Sequence, residues 1–157
     1  LKIKKIIAFI AIALTTVVLS GCSFQRDVES LKPYSPSDGV IADAQELKAR
    51  NLMFIKGDGE KAVLIGSFVN STMEPITGTI QILQADGERL EVSFDVAANS
   101  KFDIGYNGTN PLAVPISESP GQLHSIFLSG GGDPITLQVP IMDGSLEEYR
   151  PFYDALY

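Results

Sequence analysis

RLEVSFDV, residues 89–96, is the stretch that decides the fold. Leu90, Val92, Phe94 and Val96 alternate with Glu91, Ser93 and Asp95, the two-residue period of a β-strand with one face buried and one in solvent. The dipeptide Asp86-Gly87, a turn signal, stands just before it. Preceding that turn, TGTIQIL (77–83) sets Ile80 and Ile82 on one face and Thr79, Gln81 and Leu83 on the other. Two alternating runs about such a turn make a hairpin.

The same grammar extends in both directions. LKARNLMFI (47–55) and AVLIGSFVN (62–70) flank the Gly-rich turn KGDGEK. KFDIGY (101–106) continues the alternation through Phe102, Ile104 and Tyr106, and a Pro-broken crossover (111–120) leads to LHSIFLSG (123–130). GGGDP then turns the chain into ITLQVPIM (135–142), where Pro140 suits an edge strand or a bulge. Short strands spaced about ten residues apart, with no helix between them, predict an all-β fold. The expectation is an antiparallel immunoglobulin-like or cupredoxin-like sandwich of about seven strands, occupying residues 47–157. The last part, DGSLEEYRPFYDALY (143–157), differs: Ser145 and Glu148 have capping-box spacing and Leu146, Tyr149 and Leu156 fall at helical spacing. Pro151 breaks that pattern, so the expectation is a short helical tail of two turns.

The N-terminal end belongs to another class. A basic start (Lys2, Lys4, Lys5) precedes the uninterrupted apolar run IIAFIAIALTTVVL, too short for a permanent membrane span and suited to a signal-peptide core. The run closes on Leu19, Ser20, Gly21 and Cys22, which resembles the bacterial lipobox, where the cysteine becomes the lipidated first residue of the mature protein. Residues 1–21 therefore read as a signal peptide and 22–46 as a lipidated N-terminus and tether, whose later part, YSPSDGVIADA (34–44), is too apolar around Val40, Ile41 and Ala42 for pure linker and is expected to lie along the folded domain. Two acyl chains on Cys22 give stable anchoring to a bilayer. A flexible tether of this length reaches roughly 25–30 Å.

Charge and composition narrow the chemistry. The chain carries a formal charge of -7, and three of its twelve basic residues but none of its nineteen acidic ones lie in 1–21, leaving nine against nineteen, a net of -10. Such an acidic body repels phosphate backbones, which argues against nucleic acid as a partner. With one cysteine and one histidine, no intramolecular disulfide and no His-pair metal site can form. Neither a GxSxG elbow nor a P-loop nor a dinucleotide fingerprint is present, and no catalytic residue stands out. The sequons at Asn70 and Asn107 are weak signals in a bacterial lipoprotein. Tyr149, Phe152, Tyr153 and Tyr157 crowd into nine residues of an aromatic-poor chain and form the candidate interaction site. The competing reading is that they close the sandwich.

YSPSDGV (34–40) and ELKARNLMFI (46–55), together with the lipobox, are similar to actinobacterial lipoproteins of the LpqE type. The sandwich of that type resembles the periplasmic copper chaperone family PCuAC. The resemblance implies a lipoprotein on the extracytoplasmic face of the cell membrane, associated with a membrane complex such as the respiratory supercomplex. It makes a degenerate copper chaperone for cytochrome oxidase the alternative. Copper(I) is selected by thioether and imidazole ligands. The family's His-x-Met is missing, since Ser125 and Ile126 follow His124. Copper would require His124 to meet Met73 or Met142, while Met53 sits at a core position. The expectation is a non-enzymatic accessory protein without a cofactor.

Overall fold

The computed structural model describes residues 3, 5–7, 34–84 and 86–157. Leu19, Ser20, Gly21 and Cys22, and with them the lipobox and the first part of the tether, lie outside the described residues. The chain divides into a unit of residues Leu1–Tyr34, in which 3 and 5–7 are helical, and a folded unit Ser35–Tyr157. No helix among the described residues is long and apolar enough to cross a membrane.

The folded unit is all-β, with nine strands and a short helical tail. They are β1 (Val40–Ala44), β2 (Leu47–Lys56), β3 (Lys61–Asn70), β4 (Ile76–Leu83), β5 (Arg89–Val96), β6 (Ser100–Ile104), β7 (Leu112–Pro115), β8 (Leu123–Ser129) and β9 (Ile135–Met142). The path runs β5-β4-β8-β9-β2-β3-β6, with β1 paired to β2 and β7 to β3. All pairs are antiparallel except β2 with β9, joined in parallel through Phe54↔Ile141 and Ile55↔Met142. That parallel seam connects the β5-β4-β8-β9 ladder to the β2-β3 ladder and closes the sandwich along one side.

Two expectations shift. β1 lies within 22–46, ahead of residue 47, so the folded unit takes in the apolar Val40-Ile41-Ala42 segment. Its register is broken between Val40 and Ala42, which erases the alternation that would have marked it as a strand. β7 lies inside the Pro-broken crossover, so seven strands become nine. Pro140 lies on a stretch of β9 that has a ladder partner on one side alone, the locally free edge expected of it. It pairs with Leu123 on one side, and β9 meets β2 only from Ile141 onward, so its missing N–H faces no ladder there.

β2 explains how the layers form. Leu47 and Ala49 are buried inward while Lys48 and Arg50 point out. A register break between Arg50 and Met53, with Asn51 at φ 52°, shifts the parity, so that Leu52 and Phe54 point inward and Met53 and Ile55 outward. Both faces are then covered, and the run Leu52–Ile55 is buried without interruption. The inner core joins Leu52, Phe54, Leu64, Phe68, Ile80, Ile126 and Val139 across the sandwich. A Cβ on Gly78 would strike the Phe94 ring, so glycine there lets that ring lie flat against β4. The sequon residue Asn70 is a buried fastener: its amide donates to the carbonyls of Glu74, Val96 and Ala97 and its oxygen accepts from Thr72.

The tail packs on the outer face of β2 and β3, where Met53, Ile55, Val63 and Ile65 lie under Tyr149, with Tyr106, Met142, Phe152, Tyr153 and Leu156 around them. It forms a 3₁₀ turn, Glu147–Tyr149, followed by helix α1, Arg150–Asp154, with Pro151 in its first turn, where a missing N–H costs nothing. The capping box does not form. Leu146 is the N-cap, and Ser145 instead donates its backbone N–H to Asp143 Oδ1.

Candidate functional site

One end of the sandwich gathers the last residue of β2, the β2–β3 turn, the β7–β8 crossover, the exit of β9 and the tail. Between them lies an open groove of about 910 Å³, bordered by Lys56, Asp58, Glu60, Ser117, Asp143, Arg150 and Tyr153. Lys56 is 6 % exposed, and its ammonium donates to the carbonyl oxygens of Ile116 (2.7 Å) and Glu118 (2.6 Å). A buried cation is tolerated only when such partners replace its water. Lys56 thereby fastens the crossover to the end of β2.

Glu118 carries the fastening on to β8. Its Oε2 lies 2.9 Å from His124 Nδ1. Burial pushes its carboxyl up, but hydrogen bonds from His124 and Ser117, with the pull of the imidazole, outweigh this and hold it below the usual glutamate range. His124 is 3 % exposed and meets Phe54 edge-on, with ring centroids 5.4 Å apart at 86°. Since the carboxylate accepts, Nδ1 carries the hydrogen and Nε2 presents its other side to the interior, where it has no partner. Neither Lys56 nor Glu118 stands out in the sequence: Lys56 opens the Gly-rich turn KGDGEK, and Glu118 sits in the Pro-broken crossover.

The structure separates the proposed copper donors. Met73 is 81 % exposed in the β3–β4 turn and its sulfur accepts from Asn99 Nδ2. That turn follows Asn70, which pairs with Leu47, whereas His124 touches Phe54, seven residues further along β2 and roughly 20 Å away at the rise of a strand. Met142 packs into the outer layer with the tail, on the opposite face of β2 from His124. Met53 is buried, as its core position predicted, but in that same outer layer. Among the described residues no group of three or more His, Cys, Asp or Glu side chains could hold a metal ion.

The aromatic tail divides. Tyr149 is buried and donates its hydroxyl to Asp38 Oδ2 at 2.6 Å; burial first, then that bond and the carboxylate's charge, raise its pKa. Phe152 is half-buried edge-on to Tyr106, 5.7 Å away, and Tyr106 Oη accepts from the amide of Asn51, whose oxygen in turn takes the N–H of Gly39. Tyr153 is half-buried against Gly144. Tyr157 is 78 % exposed, and its hydroxyl accepts the backbone N–H of Asp58 at the rim of the groove. Of the four aromatic candidates, Tyr157 is thus the one that stands in solvent, while Tyr149 serves the domain's own packing.

The sequence matches no family model and no curated protein. Among solved structures, the apo PCuAC domain from PmoF1 is similar, with a TM-score of 0.50 and 14 % identity, covering 66 % of this chain and 99 % of that one. The likeness is one of fold: the strands of this chain are arranged as the sandwich of a PCuAC domain.

Proposed function

We propose that this chain is a membrane-anchored lipoprotein of the LpqE type, acting as a non-enzymatic accessory protein on the extracytoplasmic face of the cell membrane. The observation that carries the reading is the fate of His124. On a PCuAC-like scaffold, the single imidazole is bound to Glu118 inside the sandwich, and Met73 and Met142 lie elsewhere. A thioether–imidazole site, the donor set copper(I) prefers, lacks its thioethers here: the free Nε2 faces the buried interior, and neither methionine lies beside it. What the same end offers outward is the groove with Tyr157 at its rim, a polar contact surface with an aromatic anchor. Acylation of Cys22 holds this surface within a tether's reach of the bilayer, where a respiratory membrane complex is the partner.

The test is capture of the full chain, crosslinked in its own membrane at native abundance and solubilised in mild detergent. Co-purification of one membrane complex, lost when Tyr157 is replaced by alanine, supports the reading, and recovery of the bait alone rejects it. Mass spectrometry of the mature N-terminus reads Cys22 acylation directly. Copper carriage for cytochrome oxidase is the competing reading, favoured by the shared fold. Titration with copper(I) against a chelator separates the two: the accessory reading expects no stoichiometric tight binding.

A further inference from the structure

Among the described strands, five have a side without a ladder partner along most of their length, and four of those edges are blunted. β9 meets β2 only at Ile141 and Met142, and the rest of its length, free on that side, includes Pro140. β1 is five residues long and its register is broken. β7 has four residues and ends in Pro115. β6 has five, preceded by Asn99 at φ 48°. β5 is different. It is eight residues long, holds neither proline nor glycine, and pairs with β4 in unbroken register from Arg89↔Leu83 to Val96↔Ile76. A long regular edge is a ready template for another strand. Moreover, its inward residues are covered unevenly: Phe94 and Val96 are buried, whereas Leu90 and Val92 stay half-exposed.

We infer that β5 pairs with β5 of a second copy of this chain, antiparallel, with Val92 on the two-fold axis. The charges select the register. Only pairings that set outward residues opposite outward residues keep one face of the joined sheet polar. Centred on Val92, the pairing puts Arg89 of each copy opposite Asp95 of the other and Glu91 opposite Ser93, with no like charges facing. Centred on Glu91, it sets glutamate against glutamate; centred on Ser93, it sets Glu91 against Asp95. Centred on Leu90, it pairs Arg89 with Glu91 but leaves most of β5 without a partner. The Val92 register alone combines nearly full overlap with opposite charges at both ends, and it covers the half-exposed Leu90 and Val92. An isologous two-fold contact of this kind closes on itself, so it makes a dimer and stops.

Both charged groups are exposed and available. Asp95 Oδ1 accepts from Thr77, which leaves its second oxygen. The Arg89 guanidinium lies 4.5 Å from the Phe127 ring centroid and gives one N–H to Gln81, so in the dimer it exchanges an exposed cation–π contact for an ion pair. That exchange is near balance. The backbone ladder and the covered apolar residues therefore hold the dimer, while the charges fix its register.

The experiment is sedimentation equilibrium of the full chain in excess detergent over a concentration series, for wild type, Arg89→Asp, Asp95→Arg and the double exchange. Each single variant sets like charges opposite in both halves and should weaken the dimer on the order of tenfold. The double exchange should restore it, because Arg89 and Asp95 lie far apart on one strand and can meet only between copies. A wild type that stays monomeric, single variants that associate like wild type, or a double variant no tighter than the singles would overturn the inference. Amide exchange of wild type keeps the test decisive should a variant misfold: protection within 89–96 must rise with protein concentration, and unchanged protection refutes the pairing.

Discussion

Replacing Asp103 by asparagine probes how the β3–β6 edge is held. Asp103 is 8 % exposed, pairs with Ser67 across the ladder, and accepts from Ser67 Oγ (2.6 Å), Lys101 Nζ (2.7 Å) and Asn107 Nδ2 (2.5 Å). Burial raises its carboxyl, but the three donors and the ammonium charge overcome this and lower it from 3.8 to about 2. A lowered carboxyl favours the charged native state, so its contribution is complete above the ordinary value and disappears as the pH falls toward 2. At about 1.4 kcal/mol per pKa unit the shift is worth on the order of 2 kcal/mol. Lys101 is 55 % exposed, so solvent screens its share, and about 1–2 kcal/mol remains. Asparagine keeps the shape and an acceptor but loses the charge. Urea unfolding of the Ser35–Tyr157 unit should show Asp103→Asn less stable by about 1–2 kcal/mol at pH 7. The two proteins should converge between pH 4 and pH 2. A deficit that is the same at pH 7 and pH 2.5, or absent at pH 7, would refute this account of the edge.

Other perturbations test the groove and the tail. Lys56→Met removes the donor to two carbonyls at the end of β2; we expect a loss of about 2–3 kcal/mol by thermal unfolding, with faster amide exchange around residues 116–118. Tyr149→Phe deletes the bond to Asp38 and should cost about 1–2 kcal/mol in urea unfolding while leaving helix α1 in place by circular dichroism. Gly144→Ala drives a Cβ to within 2.5–2.7 Å of Tyr153 Cγ, Cδ2 and Cβ, near the root of that side chain, and should destabilise by about 1–3 kcal/mol. Gly57→Ala meets the far end of exposed Tyr157, which can swing away, and the edge of the Tyr153 ring at 3.2 Å, so its melting temperature should fall less than that of Gly144→Ala.

The elements legible in the sequence are those with one solvated face. In β4 and β5 the polar residues of the outer face, Thr79, Gln81, Glu91 and Ser93, punctuate the apolar ones, and period two is visible at once. The less legible elements break that alternation for definite reasons. β1 carries a register break, β7 is four residues that follow Pro111 and end in Pro115, and Leu52–Ile55 of β2 is apolar on both faces because the tail covers the outer one. No local pattern announces a second layer supplied by residues nearly a hundred positions later.

The groove end was harder to read for a related reason: its key contacts are made between backbone and side chain across the sandwich. Lys56 reaches carbonyl oxygens, which every residue possesses, so no residue type at position 116 or 118 could signal the contact. Glu118 and His124 are six apart across the Pro120-Gly121 turn, a spacing that matches no helix face or strand face. Only the return of the chain at Gly121, whose N–H bonds to Ile141 O, brings the carboxylate back over β8. The lone histidine drew attention in the sequence as a metal donor because its type is rare here. Its environment, rather than its type, decides its role: a ring sealed against Phe54 and tied to a carboxylate contributes packing and one charge-assisted bond.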